Sequence, residues 1–186
     1  MRYTVGVMGP SRIENQQQLQ DAEMIGAEVA RRGHVLLTGG GSGIMEAASK
    51  GASEAGGLVA GISSRRDKSG MNQYVDIGIP TDMGSGRNYL NILASDVVVA
   101  IGNNNSAGTL SEIANALILR KPIAIYRPSA AMHRFFMEFE PSKNHVWSVD
   151  SVDVLGDFFG EAFETLARQQ SERVTIPSFL QRSDRP

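Results

Sequence analysis

A chain of 186 residues with 41% hydrophobic side chains can bury one sizeable core, and no stretch reads as a linker between two. Its formal net charge of -2 argues against a general nucleic-acid binder, whose basic surface would show in the balance, and zero cysteines exclude disulfides and thiolate metal sites. Met1-Arg-Tyr-Thr-Val enters a strand directly and no apolar run is long enough to span a bilayer. The expectation is a soluble, cytoplasmic protein with no signal peptide and no membrane partner.

Tyr3 to Met8 is a first strand, broken by Gly9-Pro10-Ser11, which leaves Ser11 at a strand's carboxyl end. From about Glu14 to Arg32, the positions Leu19, Ala22, Ile25, Gly26, Val29 and Ala30 make a one-faced helix, with Gly33 as its C-terminal cap. His34 to Thr38 follows as a strand, then Gly39-Gly40-Gly41-Ser42-Gly43, then a helix from Ile44 to Ala55. Glycines between a strand and a helix let the backbone approach a ligand and expose its amides, so this loop is a candidate phosphate site. Leu58 to Ile62 is the third strand, and the charges of Ser63 to Asn72 belong to a solvated loop.

Tyr74 to Ile79 is the fourth strand, closed by Pro80, and a loop of small residues leads to a helix starting near Arg87-Asn88 that turns Leu90, Ile92 and Leu93 to the core. Asp96 to Ile101 is short, apolar and β-branched, the pattern of a strand buried on both faces. After it come Gly102, three asparagines, Gly108 and Thr109, then a helix bearing Leu110, Ile113, Ala114 and Leu117. A helix N-terminus after an interior strand offers amides and a positive dipole end to an anion, which makes Gly102, Gly108 and Thr109 the second candidate phosphate loop.

Ile123 to Tyr126 is a further strand, and Met132, Phe135, Phe136 and Phe139 then form a helical stripe suited to core or dimer packing. His145 to Val149 is the last strand, and Ser151 caps a helix bearing Val154, Leu155, Phe158, Phe159, Ala162 and Leu166. Beyond Ser171 the chain turns polar and is expected to drape over the surface or fray. Strands alternating with helices imply right-handed crossovers and a mostly parallel sheet covered on both faces. This is a single-domain, Rossmann-like α/β fold over residues 1–170 with a tail at 171–186.

The dinucleotide fingerprint is absent, because Gly9-Pro10-Ser11 lacks the spaced glycines, and no Gly-Lys-Ser or Gly-Lys-Thr pair supports a Walker-type NTPase. His133 and His145 have no second ligand at metal spacing, so no metal or resident cofactor is expected. Thr109-Leu-Ser-Glu112 has the spacing of a capping box, in which Glu112 would satisfy a helix-start amide. Arg87 is a cation at the wrong end of a helix dipole, and a ligand phosphate or a pairing with Glu112 would explain it better than an ordinary surface role.

Taken together, Gly39 to Met45, the Arg87-Asn88 pair nine residues before Asp96, and Gly108-Thr-Leu-Ser-Glu112 resemble the Lonely-Guy-type phosphoribohydrolases, which are often mistaken for lysine decarboxylases. The likeness is closer to the bacterial and algal branch that includes the molybdenum cofactor carrier protein, and it covers residues 3 to 126. The usual second loop of that superfamily reads Pro-Gly-Gly-x-Gly-Thr-x-x-Glu; Gly108, Thr109 and Glu112 match its end, and Arg87 matches the arginine of a preceding Arg-Lys pair. Ile101 stands where the proline would be, Asn103 for the second glycine and Asn88 for the lysine, and residues 104–107 lengthen the loop.

The resemblance implies hydrolysis of the N-glycosidic bond of a nucleoside 5'-monophosphate. The phosphate would lie on amides around Gly40, Gly41, Gly108 and Thr109, the ribose beside Glu112, and Arg87 would hold the substrate. The alternative it implies is a module that binds a nucleotide or a phosphorylated pterin cofactor without turnover. It also implies a homodimer packed through helices. A pyridoxal-phosphate decarboxylase is rejected, because no lysine sits beside the two loops and Lys50 lies well inside its helix.

Overall fold

The structure is a computed structural model and describes residues 1–13, 16–101, 106–139 and 145–174. Within them run strands β1 (Thr4–Met8), β2 (Val35–Thr38), β3 (Leu58–Ser63), β4 (Ile77–Pro80), β5 (Val97–Ile101), β6 (Ile123–Tyr126) and β7 (Val146–Val149). The helices are α1 (Gln16–Arg31), α2 (Ile44–Glu54), α3 (Arg87–Ala94), α4 (Ala107–Ile118), α5 (Ala130–Phe139) and α6 (Val152–Val174). No helix among the described residues is long and apolar enough to cross a membrane.

The strands form one parallel sheet in the order β4-β3-β2-β1-β5-β6-β7. The chain builds outward from β1 through β2 and β3 to β4, then returns to lay β5 on the other side of β1. Connections from β1 and β5 therefore leave in opposite directions, and a crevice opens at the strands' carboxyl ends, where open α/β sheets bind ligands. The expected Rossmann-like α/β fold is the one observed.

Strand alternation divides the core in two. Val5, Val7, Val97, Val99 and Ile101 face one side with α1, α2 and α6, whereas Met8, Val98 and Ala100 face the other with α3, α4 and α5. On the first side, α1 and α2 cross so closely that a Cβ at Gly26 would strike the Ala48 carbonyl, and one at Gly51 the Glu23 carbonyl. Gly51→Ala is expected to destabilise the protein by about 2 kcal/mol. An overpacking cost of about 3 outweighs about 1 gained in helix propensity. Urea unfolding of the variant checks this.

Several elements differ from expectation. The fourth strand begins at Ile77, not Tyr74, because Asn72 Oδ1 accepts from the Tyr74 amide and turns the chain there. Strand β4 lies at the sheet edge, which is why Ile77 and Ile79 are exposed and Pro80 is tolerated. On α3, Ile92 is buried, but Leu93 is 50% exposed, since its place on the helix falls one turn beyond the exposed Tyr89. In α5 the stripe splits: Met132 and Phe136 are buried, Phe135 points outward, and the Phe139 side chain lies outside the described residues. Ser151 Oγ accepts from the Val154 amide, capping α6 as read from the sequence. That helix runs on past 171 to Val174, so the proposed tail begins as helix, and its remainder lies outside the described residues.

Candidate functional site

At the carboxyl end of β1, the turn Gly9-Pro10-Ser11 lies against the start of α2. A Cβ at Gly43, whose φ is 71°, would come 2.6 Å from the Ser11 carbonyl, and the Ile44 amide donates to the Pro10 carbonyl at 3.2 Å. Beside this junction is a cavity of about 150 Å³. Ser11, Gly39, Arg87, Gly108, Thr109 and Glu112 line it, joining three loops and two helix starts that are far apart in sequence. Met8, Gly9, Pro10, Met45, Asn88 and Ser106 complete the wall.

The rest of the glycine run is held by bonds within the protein at Gly40 and Gly41. The Gly40 amide donates to Thr38 Oγ1 at 3.0 Å, and Asn72 donates through its backbone amide and its Nδ2 to the Gly40 carbonyl and through Nδ2 to that of Gly41. Gly40, Gly41, Ser42 and Gly43 do not line the cavity. Gly40 is needed for its φ of 73°, and its amide is already engaged within the protein. Gly39 alone among the five faces the cavity, and a Cβ there would collide with the Arg87 guanidinium. Gly102 lies outside the described residues.

The helix α4 begins differently from the sequence reading. Ser106 is its N-cap, accepting from the Thr109 amide at 3.2 Å, while Thr109 Oγ1 donates to Ser106 Oγ at 3.0 Å. The cap therefore lies on Ser106, three residues before the Thr109 at which the sequence placed a capping box with Glu112. Glu112, released from that duty, is only 6% exposed and accepts from Asn91 Nδ2 at 3.1 Å. Asn88 Nδ2 donates to the Gly108 carbonyl and to Ser111 Oγ, so it ties the start of α3 to that of α4.

Burial pushes the Glu112 carboxyl up to about 7, against the opposing pull of the Asn91 hydrogen bond and the positive charge of Arg87. Burial likewise lowers the Arg87 guanidinium, and Glu112 counters it. The two groups share the cavity without forming an ion pair, and Arg87 Nε is buried with no partner among the described residues. An unmet guanidinium donor at the positive end of a helix is a doubly unfavourable placement that an anion would relieve. Among the described residues no group of three or more His, Asp or Glu side chains is gathered to hold a metal ion.

Sequence reasoning did not single out Asn91, Asn72 or Ser106. Asn91 recurs four residues after Arg87, a spacing that places both on one helix face and was readable in principle. Asn72 and Ser106 act through contacts that depend on the folded loops.

Compared with known proteins, the chain is 38% identical over 143 residues to an uncharacterized protein of Archaeoglobus fulgidus, covering 76% of this chain and 92% of that one. The solved molybdenum cofactor binding protein of Rippkaea orientalis is 36% identical with a TM-score of 0.78, over 90% of this chain and 98% of that one. The molybdenum cofactor carrier protein of Chlamydomonas reinhardtii is 34% identical with a TM-score of 0.80, over 88% of this chain and 99% of that one. The likeness to the carrier branch, read from three short motifs, thus extends over most of the chain, and with its model matching residues 2–155, the chain belongs to the SLOG cluster4 family.

Proposed function

We propose that the cavity binds the phosphate end of a nucleotide or of a similarly phosphorylated small cofactor, and that carriage of such a ligand is the protein's principal activity. The observation that carries this reading is Arg87, half-buried with its guanidinium against Gly39 and its buried Nε unpartnered among the described residues, on the wall that also contains the start of α4. Guanidinium and helix-start amides together are a phosphate cradle. At about 150 Å³ the cavity has room for a phosphate and part of a sugar, so the base or pterin would extend into the crevice beyond. The solved relatives named for molybdenum cofactor support a phosphorylated ligand of this kind.

Glu112 favours a second reading, hydrolysis of an N-glycosidic bond. A ribose whose phosphate lies at Arg87 would stand beside the carboxyl group. As the bond stretches, positive charge grows on the sugar ring, and an ionised carboxylate would stabilise it or direct water to the anomeric carbon. A carboxyl held at about 7 is present in both forms near neutral pH. Incubating the protein with a panel of nucleoside 5'-monophosphates, following base release and thermal stabilisation, separates the readings. Stabilisation without release supports carriage; release that disappears in Glu112→Gln supports hydrolysis. Neither effect, with the monophosphates or with a phosphorylated pterin, overturns both.

We further propose that the protein is a homodimer, packed through α3 and α4 instead of the α5 stripe. Tyr89 and Leu93 on α3, and Leu110 and Ile118 on α4, expose apolar side chains, with Ile118 73% accessible. Sedimentation is expected to show a dimer that Leu93→Glu with Ile118→Glu converts to monomer. A monomeric wild type would overturn this.

A further inference from the structure

We propose that Asn91 is the positioning residue for Glu112: from behind the cavity wall it holds the carboxyl group in one orientation and, by turning its amide end for end, serves both the charged and the protonated form. The inference rests on the reading that Glu112 works in the cavity. Asn91 is fully buried on α3 beside Ile92 of the apolar core, and its side chain reaches Met8 of β1 and Glu112 of α4. An aliphatic side chain would fill this place without needing a partner. Instead, Asn91 Nδ2 reaches Glu112 Oε1 at 3.1 Å and the weakly accepting Met8 Sδ at 3.7 Å, and Oδ1 has no partner among the described residues.

A structural asparagine normally spends its amide on backbone groups, as the half-buried Asn72 does with the carbonyls of Gly40 and Gly41. The Asn91 side chain bonds no backbone group, so its buried amide has Glu112 as its one strong partner. The unmet Oδ1 then acquires a purpose. A carboxylate only accepts and needs the amide N–H, whereas a carboxylic acid donates its O–H and needs an acceptor. An amide carries both ends, and turning it matches either state of Glu112 without moving the helix. Arg87 of α3 is the charged group that faces Glu112, and it favours the ionised form; Met8 of β1 and Asn91 present no charge to it.

The test is made on the free protein by following the Glu112 side-chain carbonyl carbon and the Asn91 side-chain amide by NMR from about pH 5 to about pH 9. Asn91→Leu and Glu112→Gln assign the two signals. In the wild type the Asn91 amide signals are expected to move with the same midpoint as the Glu112 carboxyl. In Asn91→Leu, which loses the donor to the carboxylate, that midpoint should rise by about half a pH unit or more. Should Asn91→Leu fail to fold, Asn91→Ala takes its place, and the wild-type comparison needs no variant. Asn91 signals that stay flat while Glu112 titrates, or a midpoint unmoved by the substitution, overturn the proposal.

Adenosine 5'-monophosphate is titrated separately into the wild type. Coupled Asn91 and Glu112 signals without nucleotide binding would count against the nucleotide reading alone. Binding with uncoupled signals would count against the positioning role alone.

Discussion

Arg87→Met is expected to weaken adenosine 5'-monophosphate binding by roughly 30- to 1,000-fold, about 2–4 kcal/mol, while leaving the unfolding transition where it was or raising it. The two halves of this expectation have the same origin. Arg87 is the first residue of α3, where the helix dipole repels a cation, and its guanidinium is desolvated with Nε unmet. The folded protein gains little from that charge, so removing it should not destabilise. Methionine keeps an unbranched apolar stem and removes only the guanidinium that lies against Gly39. A bound phosphate, by contrast, would supply the missing acceptor, and the whole benefit of the arginine would appear in binding. Calorimetric titration beside thermal unfolding measures both. Unchanged affinity in Arg87→Met would remove the central support for the proposed site.

What the sequence disclosed and what it hid follow from the range over which each interaction acts. The strands and the doubly wound topology were legible because apolar runs such as Val97 to Ile101 and the intervening helical stripes are local patterns that packing then confirms. The meeting of Arg87, Glu112, Gly39 and Gly108 was anticipated only from the order of three motifs.

The roles inside those motifs were less visible. Thr109-Leu-Ser-Glu112 satisfies the capping-box spacing, yet Ser106 begins the helix a turn earlier and occupies the Thr109 amide. Local spacing cannot say which of two hydroxyls starts a helix when the preceding loop decides it. The carbonyls of Gly40 and Gly41 accept from a side chain 31 or 32 residues downstream, and no local rule reports a partner at that distance. Leu93 was misplaced for the opposite reason. The helix is short, and one step of rotation separates its buried face from its exposed one.

The helices α3 and α4 emerge from this as the working part of the fold. Arg87, Asn88 and Asn91 descend one face of α3, and Asn88 and Asn91 reach respectively to Ser111 and Glu112 of α4. These bonds join the helix that carries the cation to the helix that carries the carboxyl group.

Glu112→Gln is expected to be more stable than the wild type at pH 8, by up to about 3 kcal/mol, and nearly equal to it at about pH 4. In the unfolded chain the carboxyl group releases its proton around the ordinary value of 4.5, whereas in the folded protein burial retains it up to about 7. Between those values the folded state binds a proton that the unfolded state has lost. Wild-type stability therefore falls as pH rises from about 4.5 to about 7, and the loss is complete above that. Glutamine is neutral throughout and retains an oxygen to accept from Asn91 Nδ2, so its stability carries no such dependence. Comparing the two proteins at each pH cancels every other titrating group and isolates position 112. For a chain of this size each kcal/mol moves the melting temperature by about 2–4 °C, within easy reach of thermal unfolding at the two pH values. A difference between the proteins that stays constant with pH would mean that Glu112 titrates as an exposed carboxyl group does, and the cavity would lose the one residue that can exchange a proton near neutrality.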